Sequence, residues 1–469
     1  MQTQYDLLDD YIEGQKRRLN IPGLALAVVE GDRIEHYRGF GVARPGGETP
    51  ALQTPFYIGS LTKSFTALAT MQLVEADIVG LDVPVQRYLP WFQVADPEVS
   101  ARITIRHLLN HTSGLPSLAG MAIPSGIDEH TPPVERLKAI LYTLRQTTPP
   151  GTTCSYCNLN YDLLGLVIED ASGESYAGYV QAHIFDPLEM RHSYCARAAA
   201  QQDGLAVGYR HWFMQPFPAR HFPSEPGALP SGYIISCAED MAHYLIAHLN
   251  GGSYAGGQVL SSAGMDELHR GAIDYRPMGI DSGRYAMGWF DEQIGQVRVV
   301  SHGGNLPDFS AFMAVLPDEK RGIVILTNAD PVGLPPILAE VGIGAAVLLA
   351  GQSPQPIQLD FIPWAMRLLP LVPLLQVASI AATLRKARRQ EQAPEARLSQ
   401  SRLCGLLPVL PSLGLAATPL LLHRRGMLRY LMRFNPDLAW VSIISGTLAG
   451  IGAVLRAGLI LQAGKKPRR

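Results

Sequence analysis

The chain has 469 residues, of which 47% are hydrophobic and 17% charged, and this apolar content excludes a disordered chain. Its five cysteines are too sparse for a small disulfide scaffold, and its length favours two or three structural units. Residues 1–360 contain 23 basic and 38 acidic residues, a net charge of −15, whereas residues 361–469 contain 16 basic and 3 acidic residues, a net of +13. This division predicts an acidic soluble domain joined to a basic, apolar tail. Nucleic-acid binding is disfavoured because the basic residues of the tail lie between long apolar runs.

Helix and strand patterns alternate along the first 350 residues. Apolar residues at helical spacing predict an amphipathic helix over 3–18, and two strand patterns around a Gly-Asp turn predict a hairpin over 24–39. The region from 60 to about 285 has mostly helical patterns and loops rich in Gly and Pro. Strand patterns then return at 296–301, 309–316 and 321–328. A closing helix is predicted after them, at about 335–350. Strands from both ends of a domain predict an α+β fold, with one antiparallel sheet and an inserted helical lobe.

The first candidate for chemistry is Gly59-Ser60-Leu61-Thr62-Lys63, directly before an apolar helical pattern. A serine that opens a helix lies near unpaired backbone N–H groups, and a lysine one turn later shares its face. A serine hydroxyl needs a neighbour to take its proton, and a lysine with a pKa lowered by burial can do so. The alternative is an ordinary serine helix cap followed by a solvated lysine.

The second candidate is Tyr156-Cys157-Asn158, just before another helical pattern. A phenol beside an ammonium group has its phenolate form favoured, so Tyr156 can carry a proton from Ser60 to a leaving group. Asn158 can donate to a substrate carbonyl and hold Lys63 in place. The alternative is a turn with a packed tyrosine and an asparagine that caps the helix.

The third candidate is Ser301-His302-Gly303-Gly304-Asn305, expected at the end of a strand. Two glycines allow a substrate to approach a strand edge, where backbone N–H groups can bind an oxyanion, and His302 would line the same site. The alternative is a bulge or tight turn with a surface histidine.

Taken together and in this chain order, the three candidates resemble the motifs of the serine β-lactamase/penicillin-binding-protein superfamily. The similarity is to its class C-like branch of D-amino-acid peptidases, esterases and related hydrolases. Further matching segments are LLNHTSGLP (108–116), PSGYIISCAEDMAHY (230–244) and YAMGWF (285–290). The resemblance covers roughly residues 5–350 and implies a β-lactamase/transpeptidase-like domain, a sheet flanked by helices plus a helical lobe.

The resemblance also implies a role for each motif residue. Ser60 would be the acylated nucleophile, with Lys63 and Tyr156 as the general base pair. Asn158 would bind substrate and position Lys63. The third motif would bind substrate through His302, Gly303, Gly304 and Asn305. The backbone N–H groups of Ser60 and Asn305 would form the oxyanion hole. Neither a metal nor a cofactor is implied.

The third motif departs from that of true β-lactamases, which usually have Lys-Thr/Ser-Gly. There the lysine helps to bind the carboxylate of the drug, whereas His302 is at most partly charged at pH 7 and Gly303 has no hydroxyl. The departure favours a peptidase or esterase acting on a small acylated or D-amino-acid-containing substrate.

Two competing functions remain open at the level of sequence. One is a penicillin-receptor-like sensor or binding protein that acylates without turnover. The other is a non-catalytic anchor with relic motifs, which the intact Ser60, Lys63 and Tyr156 disfavour.

The tail contains three apolar stretches, at about 361–384, 403–422 and 438–461. Roughly 20 apolar residues can span a bilayer as a helix, so we expect three transmembrane helices; the alternative is a buried helical hairpin of a soluble protein. The predicted division is therefore a hydrolase domain over 1–355 and a membrane domain over 356–469. This architecture resembles membrane-bound peptidases that remove an N-acyl-D-amino-acid cap from bacterial prodrug metabolites.

Loop charges predict an orientation for these helices. The 385–402 loop has six basic residues and the 465–469 segment four, on one side of the membrane for three spans, against four in the 423–437 loop. By the positive-inside rule the first two face the cytoplasm, so the hydrolase domain is expected outside, in an extracytoplasmic or periplasmic position. The first 20 residues show no apolar signal-peptide core, which leaves the route of export open.

Cys154 and Cys157 bracket Tyr156 with the spacing of a redox or zinc pair. No second Cys/His pair with metal-binding spacing follows in the sequence, so we predict no metal site, and the role of the two cysteines stays open.

Overall fold

A computed structural model describes residues 3–117, 119, 131–219, 227–276, 282–331, 337–357, 361–392, 409–424 and 426–463. The chain forms two compact units. The first comprises Met1–His211 and Pro216–Gln358, and the second comprises Trp212–Gln215 and Leu359–Arg469.

The strands are β1 (Gly23–Glu30), β2 (Arg33–Gly41), β3 (Phe56–Tyr57), β4 (Tyr209–Trp212), β5 (Gln215–Pro218), β6 (Ile235–Ser236), β7 (Ser253–Tyr254), β8 (Gly257–Gln258), β9 (Ile273–Asp274), β10 (Arg284–Tyr285), β11 (Phe290–Ile294), β12 (Val297–Leu306), β13 (Phe309–Leu316) and β14 (Arg321–Thr327). Eight of them form one antiparallel sheet in the order β2-β1-β14-β13-β12-β11-β10-β9. The N-terminal hairpin therefore pairs with the last strand, and the predicted α+β fold with a sheet completed from both ends is confirmed.

The helices of the first unit are α1 (Gln4–Leu19), α2 (Thr62–Glu75), α3 (Pro97–Ser100), α4 (Ile105–Leu109), α5 (Pro133–Leu141), α6 (Asn158–Ser172), α7 (Tyr176–Val180), α8 (Arg197–Gln202), α9 (Leu229–Gly232), α10 (Ala238–Leu249), α11 (Ser262–His269) and α12 (Ile337–Leu349). Both faces of the central strands are covered, and β13 is buried along its whole length. Phe312 packs on α12, while the neighbouring Met313 belongs to the hydrophobic core that includes α10. Coverage on both faces explains why β1 and β13 are mostly apolar along their length and do not alternate apolar with polar residues.

One strand boundary differs from the prediction in a way that matters for the site. The sequence pattern ends a strand at Ser301, whereas β12 continues through the third motif to Leu306 because each of its residues from Val300 onward pairs with β13. The glycines of the motif weaken the strand signal in the sequence, and pairing with β13 overrides that weak local preference.

The second unit contains α13 (Ile362–Leu368), α14 (Leu371–Gln392), α15 (Val409–Arg424), α16 (Met427–Phe434) and α17 (Pro436–Ala463). Two stretches are long and apolar enough to cross a membrane, Ile362–Arg389 and Pro436–Ile460, and they coincide with the first and third predicted spans. Of the second predicted span, residues 403–408 lie outside the described residues, and the rest belongs to α15, which has 16 residues.

Candidate active site

Ser60 lies in a tight turn, Gly59–Leu61, that leads directly into α2. Gly59 has a φ of +56°, in the left-handed region that glycine adopts without steric cost. The short strand β3 ahead of this turn pairs with β6. The turn therefore holds Ser60 at the beginning of a buried helix, as the sequence pattern predicts.

Lys63 follows Ser60 by one turn and is completely buried. Its Nζ lies 3.0 Å from Ser60 Oγ, 2.8 Å from Asn158 Oδ1 and 2.6 Å from the carbonyl oxygen of Ser231. Burial lowers the pKa of Lys63 to about 7, against an opposing effect of the Asp162 carboxylate. Lys63 is therefore not the solvated lysine of the alternative interpretation, and its burial favours the unprotonated amine.

Tyr156 lies beside this lysine, with Lys63 Nζ 4.9 Å from the centroid of its ring. Burial raises the pKa of the Tyr156 phenol well above its ordinary value, and a hydrogen bond with the Ser60 side chain opposes this only in part. The expected phenolate is therefore wrong for the resting site, because burial disfavours the charged form of the phenol. Tyr156 therefore holds its proton at neutral pH.

Asn158 is the first residue of α6, and its side-chain oxygen accepts a hydrogen bond from Lys63. The first residue of α6 therefore contacts Lys63 on α2. Because the residue is otherwise exposed, it can contact Lys63 and a substrate at once.

The third motif approaches Ser60 through the edge of β12. A Cβ atom on Gly304 would lie 2.1 Å from the carbonyl oxygen of Ile58 and 3.2 Å from the backbone nitrogen of Ser60. A Cβ atom on Gly59 would lie 2.7 Å from the backbone nitrogen of Asn305. Gly304 is therefore needed for the approach of the Ser60 turn itself, rather than for the approach of a substrate. This contact brings the backbones of Ser60 and Asn305, whose N–H groups are the expected oxyanion hole, close together.

Gly303 differs from its neighbour, because a Cβ atom there would meet only Ala339 Cβ, at an ordinary contact distance of 3.5 Å. A side chain is therefore sterically excluded at Gly304 but could be accommodated at Gly303, and the sequence alone does not distinguish the two positions.

His302 is buried, and the alternative of a surface histidine is wrong. Its Nδ1 donates to the carbonyl oxygen of Gly303 at 2.6 Å, which leaves Nε2 as the acceptor facing the Tyr285 hydroxyl at 3.4 Å. Burial, and next to it the charge of Lys63, lowers the pKa of His302 to about 3. The imidazole is therefore neutral at physiological pH and supplies no cation for a substrate carboxylate.

His111 is part of the site, although the sequence assigned it only to an accessory segment. Its ring is buried 4.3 Å from that of Tyr156, and its Nδ1 accepts the backbone N–H of Cys157 at 3.2 Å. Its own carbonyl oxygen accepts the N–H of Ser155 at 2.8 Å. His111 thus holds the backbone on both sides of Tyr156. A signal was present, since LLNHTSGLP matched the family, but nothing in the sequence linked it to this tyrosine.

Cys154 and Cys157 are free thiols, and burial raises the pKa of each to about 12. They are therefore neither a disulfide nor reactive thiolates in this structure. Among the described residues, no group of three or more His, Cys, Asp or Glu side chains is arranged to hold a metal ion.

Known proteins are similar to this chain over most of the first unit. The Beta-lactamase family model matches residues 8–342. Protein flp of Staphylococcus aureus (strain MW2) is 28% identical over 335 residues, 71% of this chain and 64% of the relative, so the alignment spans less than two thirds of that protein. Penicillin-binding protein 4 of Amycolatopsis lactamdurans is 30% identical over 66% of this chain and 81% of the relative. The structure of the octameric penicillin-binding protein homologue from Pyrococcus abyssi has a TM-score of 0.66 and 25% identity, covering 78% of this chain and 82% of that one.

Proposed function

The chain belongs to the beta-lactamase family, and we propose that it is a membrane-anchored serine hydrolase that forms an acyl-enzyme on Ser60. The observation that carries this proposal is the buried Lys63, which contacts both Ser60 Oγ and Asn158 Oδ1 and has its pKa lowered to about 7. A neutral amine within hydrogen-bond distance of a serine hydroxyl is a base for that hydroxyl.

The acylation step follows from these positions. Lys63 Nζ takes the proton of the Ser60 hydroxyl while Oγ bonds to the substrate carbonyl carbon, and the N–H groups of Ser60 and Asn305 stabilise the oxyanion. As the tetrahedral intermediate collapses, the protonated Tyr156 donates its proton to the leaving group and receives one from Lys63. Attack by water on the acyl-enzyme, with the same groups acting in reverse, releases the acid and restores the site.

The substrate is a small ester or amide with an acyl or D-amino-acid group. The support is electrostatic: His302 stands where β-lactamases usually have a lysine, and it is neutral and buried. A substrate that depends on a carboxylate beside the scissile bond gains no ion pair from this position, so uncharged acyl esters and amides are favoured over penicillins.

The tail anchors this hydrolase in a lipid bilayer. Two stretches of 28 and 25 residues are long and apolar enough to span one, and large apolar side chains such as Leu374 and Leu375 are exposed on α14. We propose that the 403–422 segment is the third span. The basic 385–402 and 465–469 segments then face the cytoplasm and the catalytic unit lies outside it.

A second candidate function is a penicillin-receptor-like sensor that acylates without turnover. The names of two similar proteins, a penicillin-binding protein and a penicillin-binding protein homologue, favour this candidate. It differs from the first in the fate of the acyl-enzyme, which would persist rather than hydrolyse.

Turnover distinguishes these functions. The full-length protein in detergent is incubated with p-nitrophenyl acyl esters and with N-acyl-D-amino-acid p-nitroanilides, and release of nitrophenol or nitroaniline is followed over many equivalents. We expect steady turnover, lost at least about 10³-fold in Ser60→Ala and kept in Ser253→Ala, a variant of an exposed serine in β7. A single equivalent released as a burst would favour the sensor, and full activity of Ser60→Ala would refute the mechanism.

A further inference from the structure

Asp162 is a carboxylate within the site that none of the three motifs includes. It lies one helical turn after Asn158 on α6, and therefore on the same face as the residue whose Oδ1 contacts Lys63 at 2.8 Å. Its Oδ1 is buried, and no described residue donates a hydrogen bond to this atom. A buried carboxylate oxygen without a donor is costly, so its retention needs a reason other than packing.

Close packing of two helices places Asp162 beside the lysine. A Cβ atom on Gly165 would lie 2.2 Å from Pro230 Cγ, so α6 and α9 are in direct contact at this level. On α9, Ser231 links the two charged groups. Its carbonyl oxygen accepts a hydrogen bond from Lys63 Nζ at 2.6 Å, and its side chain is close enough to Asp162 to lower the pKa of that carboxyl group.

The other titratable groups that face this pair carry no charge at neutral pH. Burial raises the pKa values of Tyr156, Tyr161, Tyr176, Tyr233 and Cys157, and it lowers those of His111 and His302. Among the described residues around Ser60, Lys63 and Asp162 are therefore the two groups that can exchange charge near pH 7. Burial lowers the pKa of Lys63 to about 7 and raises that of Asp162 to about 7. The charge of each residue opposes the effect of burial on the pKa of the other.

We propose that Asp162 is a positioning residue of the catalytic base: its carboxylate stabilises the ammonium form of Lys63 as Lys63 takes the proton from Ser60. The inference rests on the proposed function and deepens it. In this step the Ser60 O–H bond breaks, the proton moves to Lys63 Nζ, and the Oγ electron pair forms the bond to the substrate carbon. Asp162 acts in its ionised form and forms no bond to substrate.

The proposal fixes the sign of a pH effect. The neutral amine of Lys63 is the active form, so acylation falls as the pH drops through the pKa of Lys63, about 7. Asp162 raises that pKa, so its removal makes Lys63 easier to deprotonate and a weaker base. In a plot of acylation rate against pH, the acid limb is the region where the rate falls at low pH, and the plateau is the maximal rate. Asp162→Asn therefore moves the acid limb to lower pH and lowers the plateau.

The experiment measures the second-order rate of Ser60 labelling by a neutral fluorophosphonate, and kcat/KM for a neutral ester, from pH 5 to 9 on the full-length protein. For Asp162→Asn we expect the acid limb to move by about one pH unit, with a plateau about threefold to tenfold lower. Asp170→Asn is the matched control, since Asp170 is an exposed carboxylate on the same helix. Its profile should equal that of the wild type.

Asp162→Glu adds a second test, because it keeps the charge and should restore the position of the acid limb even where the plateau stays low. Folding of each variant is checked by thermal unfolding. The inference would be overturned if folded Asp162→Asn had its acid limb at the same pH as the wild type, whether or not its plateau were lower. If the wild type itself is not labelled at Ser60, the proposed function fails instead.

Discussion

Burial changes the acid–base behaviour of the residues around Ser60 in different directions. It lowers the pKa of Lys63 to about 7 and that of His302 to about 3, while it raises that of Tyr156 well above the ordinary value. Near neutral pH the site therefore holds one available base, one protonated phenol and one uncharged imidazole. A proton can therefore move from Ser60 to Lys63 and from Tyr156 to a leaving group.

His111 provides a prediction at the same scale. Its hydrogen bonds to the backbone of Ser155 and Cys157 hold Tyr156 in place, and its φ of +56° is one that asparagine tolerates. His111→Asn keeps the backbone conformation but removes the ring beside Tyr156. We expect kcat to fall by up to about 10²-fold with a smaller change in KM. Loss of the buried hydrogen bond from the Cys157 N–H to the ring lowers the free energy of unfolding by about 1–3 kcal/mol.

Steady-state kinetics and urea denaturation measure these two effects. His183→Asn, which changes an exposed histidine paired with Glu174, is the control and should leave both quantities unchanged. An unchanged kcat in folded His111→Asn would show that Tyr156 needs no such support.

The sequence predicts the motif residues well and their buried support poorly. Ser60, Lys63, Tyr156 and Asn158 were predicted together, and the structure brings them together. Asp162, by contrast, is one polar residue in a helical pattern, which reads as part of a solvated face. Its burial depends on α9, nearly 70 residues later in the chain, and such a contact leaves no local sign in the sequence.

At the scale of elements, the site depends on the contact between the Ser60 turn and β12. This contact positions both N–H groups expected to bind the oxyanion, and it exists because residue 304 has no side chain. The strand prediction ended before the motif because local propensity does not report pairing with β13, whose residues are all buried.

The two adjacent glycines of β12 offer a matched pair of variants. In Gly304→Ala the new methyl group would overlap the carbonyl oxygen of Ile58, so the Ser60 turn must move away from β12. We expect kcat to fall about 10²- to 10³-fold, the cost of a lost oxyanion donor. In Gly303→Ala the methyl group makes an ordinary contact with Ala339, and kcat should change little. Equal losses in both folded variants would contradict this account of the oxyanion hole.

At the scale of the whole molecule, the charge division follows the two units. The unit that contains the site is acidic, and the tail is basic and apolar, with exposed leucines on α14. Exposed apolar side chains of this kind are costly in water and favourable in lipid. The sequence predicted this division from hydropathy and charge, whose signals are local and need no long-range contact.

The membrane proposal predicts the behaviour of the intact protein during extraction. After expression, the chain should stay in the membrane pellet through washes with high salt and alkaline carbonate, and detergent should release it, because spanning helices are held by apolar burial rather than by charge. A protein held only by its basic residues would be released by salt, and that result would contradict the spans.

Labelling of the nucleophile tests the central claim most directly. The purified full-length protein is treated with a fluorophosphonate and, separately, with a fluorescent penicillin, and the modified residue is located by mass spectrometry. We predict a fluorophosphonate adduct on Ser60 that is abolished in Lys63→Ala and strongly slowed in Tyr156→Phe, with weaker labelling by the penicillin because His302 offers no cation. An adduct on another residue, or none on Ser60 in a folded sample, would contradict the account.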